Sequence, residues 1–163
     1  MTPLLIRPTV VADHAAIWAI LEPLIRDGEV FALPRDMSRE EVLAYWTAGD
    51  RVPFVACRDG TIAGLYYLRP NQMGGGAHVA NAGYATAREA SGRGVARAMC
   101  AHSMDEARRR GFRAMQFNFV VSTNARAVML WTDMGFTTVG RLPEAFHHPG
   151  QGYVDALVMA RPL

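Results

Sequence analysis

The chain has 163 residues, half of them apolar and a fifth charged, which suits one globular domain spanning 1–163 and burying about two-thirds of its surface. Lys+Arg is 17 against Asp+Glu 15, and the single cationic run, Arg108–Arg109–Arg110, is no basic stripe with interleaved aromatics, so a nucleic-acid partner is not expected. The opening MTPLLIRPTV lacks the form of a signal peptide and no apolar run reaches the roughly 18 residues of a membrane span, so a cytoplasmic protein without membrane contact is expected.

In chain order, the apolar run 4–8 stopped by proline predicts a first strand. Residues 11–26 carry Ile17, Leu21, Leu24 and Ile25 at helical spacing, with Asp13 placed favourably in the first turn. A Gly-, Pro- and Asp-rich loop follows over 28–38, and Ser38 three residues before Glu41 has the spacing of a capping box opening a short helix. Runs 53–58 and 61–69 flank Asp59–Gly60, a hairpin signal, and 70–77 reads as a flexible turn. Residues 78–86 predict another strand, with Gly83 a candidate bulge. Val95, Ala96, Met99, Cys100, Ser103 and Ala107 form a small-residue helical stripe closed by Gly111. A strand over 114–121, a helix over 124–134 stopped by Gly135, and strands over 136–142 and 152–163 complete the chain. Cys57 and Cys100 read as buried free thiols, which a reducing cytoplasm suits. This order of elements predicts an α/β or α+β domain, a mixed sheet with helices on its faces.

The stretch ASGRGVARAM at 90–99 raises the functional question. A Walker loop needs a Lys-Ser or Lys-Thr that is absent, and a dinucleotide fingerprint needs Gly or Ala where Arg97 stands. Two readings remain open on the residues alone. One is a plain Gly-containing helix start. The other is an anion site in which free N–H groups and the positive helix end meet a phosphate, with Arg93 and Arg97 in reach.

The segment Ser91–Gly92–Arg93–Gly94–Val95–Ala96 resembles the Arg/Gln-x-x-Gly-x-Gly/Ala signature of the GCN5-related N-acetyltransferase (GNAT) superfamily in all but its first place. A second signature of that family matches Asn124, Ala127, Leu130, Gly135 and Phe136, with Trp131 where the family has tyrosine. Patterns such as HVANAGY ending at Tyr84 and QFNFVVSTN ending at Asn124 are similar to the subgroup that acetylates azetidine-2-carboxylate and other cyclic amino acids. The resemblance implies a sheet of about seven strands splayed between its fourth and fifth, flanked by about four helices. It also implies an acetyl-CoA-dependent N-acetyltransferase acting on a small amine by direct attack in a ternary complex, with no metal. Acetylation of a protein N-terminus or lysine, and CoA binding without catalysis, are the alternatives. Relatives often pair through their C-terminal strands, so a homodimer is allowed.

Residue by residue, the resemblance assigns the pyrophosphate to Ser91, Gly92, Arg93, Gly94, Val95, Ala96 and Arg97, and the pantetheine arm to the backbone of Tyr84, Ala85 and Thr86 and to Asn124. Tyr84 N–H is the expected donor to the acyl oxygen. No carboxylate stands in 78–86 where many relatives have glutamate, so a water relay held by Asn81 and Asn118 is the expected substitute. An amide is no useful base, and these two are assigned acceptor binding; the competing reading is a pair of core amides satisfied by backbone. Phe31, Leu33 and Met73 are candidates for an apolar acceptor wall. Trp131 is expected to pack the thioester channel rather than donate a proton. His78, the loop pair His147–His148 and Asp155 rank lower, Asp155 being read as a structural hydrogen-bonding residue.

Overall fold

The computed structural model describes residues 2–163. Strand β1 (Leu5–Pro8) leads through a short 3-10 turn into α1 (His14–Asp27), and α2 (Arg39–Thr47) follows. Then come β2 (Val52–Arg58), β3 (Thr61–Pro70), β4 (Val79–Thr86), α3 (Val95–Arg109), β5 (Ala114–Val121), α4 (Ala125–Asp133), β6 (Thr137–His148) and β7 (Gly152–Pro162). The seven strands form one mixed sheet in the order β1-β2-β3-β4-β5-β7-β6, with β4 and β5 parallel and the other pairs antiparallel.

Local chemistry accounts for most boundaries. Ser38 Oγ accepts from Glu41 N–H at 3.2 Å while Ser38 N–H donates to the Glu41 carboxylate at 2.7 Å, the reciprocal cap expected for α2. Asp59 and Gly60 both hold positive φ, 51° and 75°, the backbone that a two-residue hairpin with the strands' own twist requires. Tyr66 and Tyr67, adjacent on β3, mark the two faces of the sheet. Tyr66 meets His102 of α3 through a 2.8 Å hydrogen bond, whereas Tyr67 packs edge-on against Tyr45 and Trp46 of α2.

Several expectations are corrected. The segment 11–13 is a 3-10 turn rather than helix, because Asp13 turns away to pair with Arg7 at two 2.8 Å contacts and to cap Val10 N–H. Gly83 is no bulge: β3 and β4 keep one register throughout, and a Cβ at Gly83 would lie 2.6 Å from the Tyr67 ring, which is why glycine stands there. The irregularity falls on β5, where Phe117 to Val120 spans against Met159 to Leu157 on β7, one residue too many around 118–119. Strand β6 runs on to His148, so His147 and His148 belong to a strand, not a loop; His148 Nδ1 accepts from Gly150 and Gln151 N–H. Cys100 is buried, but Cys57 is only half-buried because it lies near the end of β2 next to the outer strand β1.

Candidate active site

Strands β4 and β5 pair at only two positions, Val79↔Ala114 and Ala80↔Met115, and then part. The next contact is made by a side chain: Asn81 Nδ2 donates to Gln116 O at 3.0 Å. Beyond it the facing backbone groups of β4 lose their neighbour. Asn71 N–H donates to Val79 O and Ala87 N–H to Ala63 O, so the odd-numbered residues of β4 bond to β3. Antiparallel alternation then turns the N–H and C=O of Ala82, Tyr84 and Thr86 toward the gap. A free strand edge of this kind accepts an extended ligand as an added strand.

A cleft of about 940 Å³ occupies the gap and continues to the glycine loop. Gly92 and Gly94 hold φ of 76° and 78°, and Gly94 is the residue before α3. The first helical bond runs from Ala98 N–H to Gly94 O, leaving Val95, Ala96 and Arg97 N–H without helical partners at the positive end. No side chain caps this end, in contrast to α2. Ser91, Gly92, Gly94, Val95, Ala96 and Arg97 line the cleft, together with Ala85, Thr86, Asn124 and Trp131. Arg93 does not: it is exposed outside the lining, because the turn directs position 93 away. Arg97 is engaged by Asp133 at 3.0 Å. Asn124 caps α4 by accepting from Ala127 N–H at 3.3 Å, which leaves its Nδ2 for a ligand.

Tyr84 divides its roles between backbone and side chain. Its hydroxyl donates to Ser103 Oγ at 2.6 Å, since Ser103 itself donates to Cys100 O at 2.8 Å. Burial holds this phenol well above the usual tyrosine range. The ring packs against Trp131 at 4.9 Å, and Trp131 against Phe117 at 5.0 Å, so one aromatic layer floors the cleft. Trp131 is only 8% exposed.

The far half of the cleft lies against α2 and is lined by Phe31, Leu33, Tyr45, Trp46, Tyr67 and Arg69 beside Asn81 and Asn118. Phe31 packs edge-on to Trp46 at 5.7 Å. Met73 is 92% exposed and outside the lining, because the turn that carries it stands out from the sheet. The two asparagines are not in the core: Asn81 is half-buried and Asn118 exposed. Asn118 Nδ2 donates to Asn71 Oδ1 at 2.7 Å and its Oδ1 accepts from Gln116 Nε2 at 2.9 Å. Both reach the cleft, and both amides already have protein partners. Asp155 accepts from Glu144 N–H and Arg141, the structural bonding expected of it.

Among the lining residues that escaped the sequence reading are Tyr45, Tyr67, Arg69 and Arg126. Tyr67 and Arg69 follow the strand alternation that points opposite Gly83 and Asn81, a signal that period 2 on β3 could have supplied. Arg126 reveals itself only in three dimensions, its Nη2 standing 3.4 Å from where a Cβ on Gly92 would lie. Among the described residues, no Asp, Glu or His side chain lines the cleft, and no group of three or more His, Cys, Asp or Glu gathers to hold a metal. No helix is long and apolar enough to cross a membrane.

Comparison with known proteins bears on this geometry. Residues 18–136 match the model of the acetyltransferase (GNAT) family. The chain is 31% identical over 99 residues to an N-acetyltransferase, aca1, of Schizosaccharomyces pombe, covering 60% of this chain and 47% of that one. It thus spans about half the length of that curated relative. Among solved structures, a GCN5-related N-acetyltransferase from Kribbella flavida superposes with a TM-score of 0.93 at 43% identity over 98% of both chains. A phosphinothricin acetyltransferase from Sinorhizobium meliloti in complex with acetyl-CoA shares the fold, with a TM-score of 0.87 at 21% identity over 100% of this chain and 89% of that one.

Proposed function

The chain belongs to the GNAT acetyltransferase family, and on that premise we propose that it is an acetyl-CoA-dependent N-acetyltransferase of small amines, of the amino-acid-analogue or antibiotic type. The observation that carries this reading is the convergence on one cleft of a free β4 edge and an uncapped, glycine-opened helix start. The donor set fits the cofactor's chemistry: N–H groups of 95–97 and the Arg126 guanidinium suit a pyrophosphate, and the β4 edge suits an amide-bearing arm. Acetyl-CoA, when bound, supplies the activated acyl group.

The chain's own residues then have three tasks. Tyr84 N–H, turned into the gap, meets negative charge as it develops on the acyl oxygen; a donor so placed is worth roughly 10²–10³-fold in rate. Asn81 and Asn118 flank the approach of the acceptor and can hold water within its reach. No carboxylate or imidazole stands in the lining to take the amine proton, so the amine enters neutral or gives its proton to water. Trp131 has only an indole N–H, which donates a hydrogen bond but no proton at neutral pH; a thiol with a pKa near that of free cysteine, about 8.5, would leave as thiolate without a side-chain acid. The rate should therefore climb with pH through the acceptor's own amine pKa.

Transfer of labelled acetyl from acetyl-CoA, assayed over a panel of amino acids, their amides, diamines and peptides, tests the reading. Label moving to a small amine supports it. Tight CoA binding with no transfer to any amine would leave a binding module instead.

A further inference from the structure

We infer that the acceptor carries an anionic group, and that Arg69 receives it; this rests on the N-acetyltransferase reading above. The charged side chains lining the cleft are Arg69, Arg97 and Arg126, without a single acid among the described residues. Arg97 and Arg126 stand at the glycine loop, where the cofactor's phosphates are expected. Arg69 is at the other end, opposite Asn81 in the β3–β4 register. Asn81 is three residues from Tyr84, about 10 Å along the strand at roughly 3.3 Å per residue. An arginine side chain and an acceptor of a few bonds can bridge that span together.

The remaining chemistry of this half points the same way. Arg69 Nε is buried without a partner among the described residues, and so is Trp46 Nε1. Only one guanidinium contact is filled, by Asp50 at 3.2 Å, in a pair whose aspartate is half exposed. Such a pair contributes little to stability, and it engages one nitrogen of the fork. The Arg51 guanidinium adds positive charge just behind the wall, 4.3 Å from the Tyr45 ring and 5.0 Å from the Tyr67 ring. A cationic acceptor such as a polyamine would find no carboxylate among the described lining residues, and its other ammonium groups would lose water without compensation. A carboxylate, phosphonate or phosphinate beside the amine would find a planar fork with donors to spare.

The test compares each of a set of linear and cyclic amino acids with its own carboxamide, plus diamines, at saturating acetyl-CoA. The carboxamide has the less basic amine, so without anion recognition it should be the better acceptor near neutral pH. The expected result is a kcat/KM for the acid about 10- to 150-fold above its carboxamide, the range of one charge-assisted hydrogen bond. Arg69→Gln should lower kcat/KM for acids by a similar factor and for carboxamides far less, with the acetyl-CoA KM unmoved; Arg69→Lys should restore part of the loss. Carboxamides or diamines preferred by the unaltered enzyme, or equal losses for acid and carboxamide in Arg69→Gln, overturn the inference and leave the acetyltransferase reading standing. If Arg69→Gln does not fold, the acid-to-carboxamide ratio of the unaltered enzyme and of Arg69→Lys decides alone. Absence of transfer to every amine overturns both readings.

Discussion

The Asn81 amide donates to the Gln116 carbonyl at the point where β4 and β5 part, and this one bond ends the ladder and begins the cleft. It makes Asn81 a structural residue and a cleft residue at once. Asn81→Ala removes the donor and leaves a half-buried carbonyl unmet, so it should cost about 1–2 kcal/mol in chemical denaturation. Asn81→Asp should cost more, because a carboxylate would face that carbonyl. Asn118→Ala, at an exposed site, should stay within about 0.5 kcal/mol. Equal stability of all three variants would remove the structural role.

Gly94 sits at φ 78° with nothing within 4 Å of an added Cβ. Gly94→Ala should therefore cost only backbone strain, about 1–2 kcal/mol, and leave acetyl-CoA binding close to normal. Gly94→Glu adds a carboxylate where the phosphates are expected and should weaken binding at least about 100-fold in calorimetry while the fold survives. If the two variants bind acetyl-CoA alike, the anion is not at this loop.

Arg97 and Arg126 differ in what they are free to do. Arg97 is held by Asp133, whereas Arg126 has its guanidinium beside Gly92. Arg126→Gln should raise the Kd for acetyl-CoA about 10- to 150-fold and flatten its salt dependence. Arg97→Gln should have the smaller effect.

Trp131 joins the rings of Tyr84 and Phe117 in one layer. Trp131→Phe keeps most of that contact and should change kcat less than about 10-fold, since no proton is supplied by the indole. Trp131→Ala should lower stability by about 3 kcal/mol through lost packing, visible as a fall in Tm. A folded Trp131→Phe variant that binds acetyl-CoA normally and loses a thousandfold in kcat would refute the packing role.

Hydrogen bonding to Arg7, with a further bond from Val10 N–H, holds the Asp13 carboxyl below the usual aspartate range. A depressed folded-state pKa contributes stability that is present above the unfolded value of about 3.9 and is lost as pH falls through the lower folded value. Asp13→Asn should therefore be less stable than the parent at pH 7, and the gap should shrink on acidification below about pH 4. A gap independent of pH would mean that packing, not charge, is what Asp13 supplies.

The element order, the α2 cap at Ser38–Glu41, the Asp59–Gly60 hairpin and the uncapped helix start at Gly94 were legible in the chain itself. Each depends on residues within a few positions of one another, so spacing and φ preference suffice to reveal it. The same holds for the two signatures around Gly92 and Asn124. What depended on distant partners was not legible. Gly83 reads as a bulge in isolation and is instead a floor for the Tyr67 ring; the extra residue lies on β5, where β7 sets the register. Asp13 looks like a first-turn acid until Arg7 takes it. Arg69 and Arg126 look like any surface arginine until β3 sets one opposite Asn81 and α4 sets the other beside Gly92. Local propensity decides where helices and strands begin, but a cleft is made where two strands stop pairing, and only the tertiary fold brings its opposite walls together.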